Sequence, residues 1–146
     1  MQNDLYIATY QVSSTIERLT AAASVLAFAA GSVAVWYFDP TKAGFFPVCP
    51  LYSLTGLACP GCGLTRGFHA LFHGDLITAL DYNALIPLIA LIFGFFFVSM
   101  SLIAIRGKGL VTLTQFPKLL FGLFGLLIVF GVLRNLPFYP FTFLYP

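Results

Sequence analysis

Three cysteines and two histidines fall within 25 positions of an otherwise apolar chain, in the run "CPLYSLTGLACPGCGLTRGFHALFH" that starts at Cys49. Cys59-Pro60-Gly61-Cys62-Gly63 has the form C-P-x-C-G. Two thiolates separated by two residues can chelate one ion, and a glycine after the second permits the left-handed backbone that turns N–H groups toward the sulfurs. One such knuckle supplies half of a four-ligand shell. Cys49 offers a third thiolate, and His69 or His73 a fourth ligand, so a zinc site of three cysteines and one histidine can be drawn from Cys49, Cys59, Cys62, His69 and His73.

The same cysteines admit two other readings. A C-x-x-C outside the cytoplasm can cycle between dithiol and disulfide, as in a membrane thiol-disulfide oxidoreductase using Cys59 and Cys62. The reactive thiol is then expected to be Cys62, whose thiolate the following helix N-terminus favours. Against that reading, no second cysteine pair is present to pass electrons through a membrane. The third reading is structural: one disulfide staples the segment, one thiol stays free, and the histidines form a solvated helix edge.

The elements around the cluster follow from periodicity. On a helical wheel, Leu64, Phe68, Leu71 and Phe72 share one face and Thr65, Arg66, His69 and His73 the other, which predicts a short amphipathic helix at the membrane surface or re-entering it. Gly74 is placed to close that helix in the left-handed conformation, and Asp75 to cap the next, which is expected to run on into the following apolar stretch. Thr65 and Arg66 occupy the first turn, where a helix N-terminus attracts anions. Arg66 is expected instead to pair with Asp75 or Asp81, because an unpaired arginine near hydrocarbon is costly.

Composition sets the environment. The 146 residues are 60% hydrophobic and 8% charged, whereas soluble domains carry about a quarter charged residues. Three stretches approach the roughly 20 apolar residues that cross a bilayer at about 1.5 Å each: Leu19 to Phe38, Ala84 to Ile105 and Lys118 to Leu136. Ser14 with Glu17 fits a capping box before the first, Asp39-Pro40 marks its end, and Trp36-Tyr37-Phe38 suit an interfacial belt. Lys118 and Arg134 frame the third and are expected to snorkel toward the interfaces. The predicted fold is a single all-α membrane domain over residues 1–146, with three transmembrane helices and the short helix in the first connection. That connection holds every cysteine, both histidines and three of the five acidic residues.

Lysine and arginine placement puts the N-terminus in the cytoplasm and the cysteine-bearing connection outside. The net charge of +2 comes from scattered single residues, so no basic stripe exists for nucleic acid. Phosphate loop, dinucleotide fingerprint and serine elbow are all missing. The expected partners are the lipid bilayer and a membrane-protein partner or second copy, and the favoured function is a non-catalytic Cys/His-rich interaction surface.

The run from Cys49 to Asn83 resembles the core of a family of small bacterial membrane proteins classed as domain of unknown function 2752. The shared positions are Cys49, Pro50, Thr55, Gly56, Cys59, Pro60, Gly61, Cys62, Gly63, Thr65, Arg66, Leu71, Gly74, Ala79 and Asn83. That pattern usually follows its Asn with Pro; here Ala84 follows, with Pro87 three positions on. The resemblance implies a multi-pass protein of the bacterial cytoplasmic membrane with this cluster at its centre, and it implies no activity.

Overall fold

The computed structural model describes residues 10–11, 14–110 and 117–144. Helix α1 spans Thr15–Tyr37. Its N-cap is Ser14, whose Oγ accepts a hydrogen bond from the Ile16 N–H at 3.2 Å. Asp39 follows its end, accepting from the Thr41 N–H and hydroxyl and pairing with Lys42 at 3.1 Å. Three short helices occupy the connection: α2 (Pro50–Thr55), α3 (Leu64–Phe72) and α4 (Leu76–Tyr82). Two longer ones follow, α5 (Ile86–Arg106) and α6 (Pro117–Leu133), and a 3-10 turn covers Phe141–Leu144.

Helices α1 and α5 pack side by side. Phe28 meets Phe93 and Phe97, each with centroids 5.6 Å apart, and Ala21 meets Ile103. The pair is antiparallel, because Arg18 at the start of α1 donates to the carbonyls of Ala104 (3.2 Å) and Ile105 (3.0 Å) at the end of α5. A guanidinium there supplies donors to the last helical carbonyls and suits the negative end of the helix dipole. A two-residue antiparallel pairing of β1 (Tyr10–Gln11) with β2 (Lys108–Gly109) closes the same end. The cysteine-bearing connection lies at the other.

Both α1 and α5 are long and apolar enough to cross a membrane. Their large side chains are left outward, Leu26 at 70% and Leu91 at 73% exposure. Helix α6, predicted as a third span reaching Leu136, stops at Leu133 and is 17 residues long. It ends where Arg134 turns inward.

Two expectations are corrected. The helix capped by Asp75 does not continue into α5: it stops at Tyr82, and Asn83 takes an extended conformation. The break arises because the Asn83 side chain is committed to another loop and Pro87 sits at the start of α5. The second is the single short helix expected in the connection: α2, which Pro50 opens and Gly56 closes, precedes α3 there. The turn signal at Gly74 is met, with φ of 82°.

Candidate functional site

The site is built around the turn Cys59–Cys62. Pro60 occupies its second position, where the ring's fixed φ favours a tight turn, and the Cys62 N–H donates to the Cys59 carbonyl at 3.0 Å. Gly63 then adopts φ of 82° and starts α3. Any side chain is strained in that conformation, so this position depends on glycine. Cys49 arrives from the other side as the residue preceding α2.

These elements bring the three sulfurs together. Cys49 Sγ lies 3.3 Å from Cys59 Sγ, Cys59 Sγ lies 3.5 Å from Cys62 Sγ, and all three fall within 4.8 Å of one another. All are free thiols. Three thiolates around one zinc, at about 2.3 Å each in tetrahedral geometry, would sit about 3.8 Å apart. The observed cluster reaches that spacing when its two shorter pairs open by a few tenths of an ångström and the third, Cys49 to Cys62, closes by up to about 1 Å.

The thiols differ in protonation. At the first turn of α2 the Tyr52 N–H, followed by the Cys59 thiol, holds Cys49 down to about 7. Burial pushes Cys62 up to about 12, with the neighbouring thiols adding to the effect. The expectation that Cys62 carries the activated thiol is therefore reversed: desolvation of Cys62 outweighs the helix N-terminus, and Cys49 is the readily ionised sulfur.

His69 and His73 stand elsewhere. The polar face of α3 turns them toward the end of α1, where His69 Nδ1 donates to the Val35 carbonyl at 2.7 Å and His73 stacks on Trp36. His73 Nδ1 in turn donates to the His69 carbonyl, and the two rings lie 4.4 Å apart. Among the described residues, the sulfur cluster contains no histidine or carboxylate. The opposite face of α3 is its packing face, with Leu64, Phe68 and Leu71 against Ala70, Ala79 and Ile86.

The other candidate residues separate into two groups. Thr65 and Arg66 line a cavity of about 530 Å³ together with all three cysteines. Arg66 is exposed and forms no ion pair with Asp75 or Asp81, contrary to the sequence expectation. Asp75 is committed to capping α4: its carboxylate accepts from the Thr78 N–H at 3.0 Å and the Thr78 hydroxyl at 2.6 Å, which holds its pKa below the usual carboxylate value. Asn83 is buried beneath the turn, donating to the carbonyls of Pro60 (2.8 Å) and Cys62 (3.0 Å) and accepting from the Leu85 N–H.

Two residues that shape the site were not recognised in the sequence. Arg134, expected to snorkel outward, is 0% exposed. Its guanidinium donates to the carbonyls of Cys59 (2.9 Å), Cys62 (3.2 Å) and Leu144 (3.1 Å), and it lies over the Phe130 ring at 5.1 Å. Asn135 clamps Ala58 from both sides, accepting from its N–H and donating to its carbonyl, each at 2.8 Å. Gly131 completes the contact, because a Cβ there would approach the Pro60 ring to 2.9 Å. The available signal was the Arg134-Asn135 pair, two adjacent polar residues at the end of an apolar helix.

Residues 49–97 match the family described as protein of unknown function (DUF2752). The match begins at Cys49 and takes in the whole sulfur cluster, the cavity-lining Arg66 and the buried Asn83; Arg134 and Asn135 lie beyond it. No curated protein and no solved structure matches the chain.

Proposed function

We propose that this is a non-catalytic bacterial membrane protein that binds one zinc ion through Cys49, Cys59 and Cys62 and presents the resulting element as an interaction surface. The observation that carries this reading is the convergence of three sulfurs from two separate chain segments, with the cysteine turn backed by buried and half-buried polar side chains. Thiolate sets of this kind suit zinc among the abundant cations. Asn83, Arg134 and Asn135 hold the turn through its backbone, which fixes Cys59 and Cys62 while leaving the lone pairs of their sulfurs for an ion.

In this reading α6 is a third span. At about 1.5 Å per residue its 17 residues cover about 26 Å, close to the hydrocarbon thickness. Its last turn abuts the cysteine turn, at the opposite end of the α1–α5 pair from β2. The positive-inside rule then favours a cytoplasmic N-terminus: Arg18, Arg106, Lys108 and Lys118 lie toward one side, Lys42 and Arg66 toward the other, and Arg134 is buried and does not count. The cysteines face outward from the cytoplasmic membrane. The partners are lipid and a membrane protein or second copy.

Metal analysis of protein purified in detergent should give about one zinc per chain, lost in Cys59→Ser. Protein that retains no zinc after purification with metal supplied would remove this reading. The contact between Cys49 and Cys59 favours one alternative, a thiol-disulfide oxidoreductase. There the Cys49 thiolate attacks a substrate disulfide, Cys59 resolves the mixed disulfide to form Cys49–Cys59, and the substrate leaves as a dithiol. Trapping of a mixed disulfide through Cys49 in a Cys59→Ser variant would select it.

A further inference from the structure

The three cysteines, Thr65 and Arg66 all line the cavity described above. Two features follow together. Among the described residues no histidine, carboxylate or further cysteine joins the cluster, so three protein ligands leave a tetrahedral ion one position short. Arg66 reaches the cavity with no ion pair to a described carboxylate, since Asp75 serves Thr78 and the Asp39 carboxylate serves Thr41 and Lys42. The arrangement is thus an incomplete coordination shell and an available guanidinium sharing a space of the size that takes small molecules.

Resting on the zinc reading above, we propose that the fourth ligand comes from outside the chain, as a small thiol that also carries a carboxylate. The sulfur matches the donor character of the other three ligands. The carboxylate matches the planar fork of Arg66, with the Thr65 hydroxyl as a further donor. Binding forms one metal–sulfur bond, displaces the solvent molecule in that position and releases the thiol proton to bulk water. The ligand's charge requirement sits on Arg66, and its donor requirement sits on the ion.

Cobalt(II) in place of zinc separates the two levels, because sulfur-to-cobalt charge transfer reports the ligand set directly. The probes are mercaptoacetate and the neutral 2-mercaptoethanol, titrated against cobalt-loaded full-length protein in detergent, with retention of cobalt checked by gel filtration. Mercaptoacetate should half-saturate the spectral change at a concentration roughly threefold to tenfold lower than 2-mercaptoethanol, the range expected of a solvent-exposed charge pair. Arg66→Gln should bind cobalt unchanged and erase that preference, and Arg66→Lys should restore part of it. Equal titrations by both thiols in the native protein, or a preference that survives in Arg66→Gln, would overturn the inference and leave the metal centre standing. A protein that gives no cobalt charge-transfer band overturns both.

Discussion

The turn that carries the cysteines and the long helices beside it use opposite means of holding their shape. Around Cys59–Cys62, polar side chains meet backbone groups one by one: the buried Asn83 and Arg134 and the half-buried Asn135 account for the carbonyls of Ala58, Cys59, Pro60 and Cys62. Along α1, α5 and α6 the side chains are apolar and largely outward, and Phe121 on α6 is 74% exposed. A contiguous apolar surface of this kind marks a face that meets lipid or another protein. Within lipid it costs nothing, whereas an irregular loop there must satisfy every polar group internally. Precision is therefore concentrated at the turn, and tolerance is spread over the helices.

The contrast is tested most severely at the two ends of α6. Replacing Arg134 with Met strips three carbonyls of a charged donor and should cost about 4 kcal/mol or more, enough to abolish folding. The chemically similar Lys118→Met, at the exposed start of the helix, should stay within about 0.5 kcal/mol. Thermal unfolding in detergent measures both, and similar losses at the two positions would erase the distinction.

A second test lies inside the sulfur cluster, between a half-buried and a buried sulfur. In metal-free, reduced protein, Cys49 is ionised above pH about 7 and loses its thiolate as pH falls through that value, while Cys62 stays protonated up to about 12. At pH 8 the thiolate fractions differ by about four orders of magnitude, and the greater intrinsic nucleophilicity of the higher-pKa thiol recovers about two of them. Alkylation of Cys49 should therefore be at least about fiftyfold faster than that of Cys62, followed by mass spectrometry. Comparable rates would mean that burial of Cys62 does not control its chemistry.

Glycines sharpen the comparison on a smaller scale. A Cβ on Gly67 would lie 2.7 Å from Ile86 Cδ1 and 3.1 Å from the Ala79 carbonyl oxygen, so Gly67→Ala should destabilise by about 2 kcal/mol. Gly122 on α6 has nothing within 4 Å, and Gly122→Ala should be neutral or stabilise by about 0.5 kcal/mol. The smallest effect is expected on the exposed apolar surface of α6, where Phe121→Leu should change the unfolding midpoint in detergent by less than the equivalent of about 0.5 kcal/mol. A larger change would mean that Phe121 is covered by a protein partner.

Composition and local pattern alone determined the apolar, helical character of the chain, the approximate places of α1 and α5, the amphipathic α3, the Gly74–Asp75 punctuation and the concentration of reactive groups after Cys49. These depend on periodicity and on side-chain chemistry within a few residues, which a linear reading captures. Tertiary structure decided which of the reactive groups meet. Cys49 joins Cys59 and Cys62 because α2 folds back on the turn, and the histidines leave that group because α3 packs its apolar face on Ile86 and turns its polar face to the end of α1. Arg134 and Asn135 reach the site across more than 70 positions of sequence. A contact of that span depends on where whole helices dock, and no local pattern encodes it.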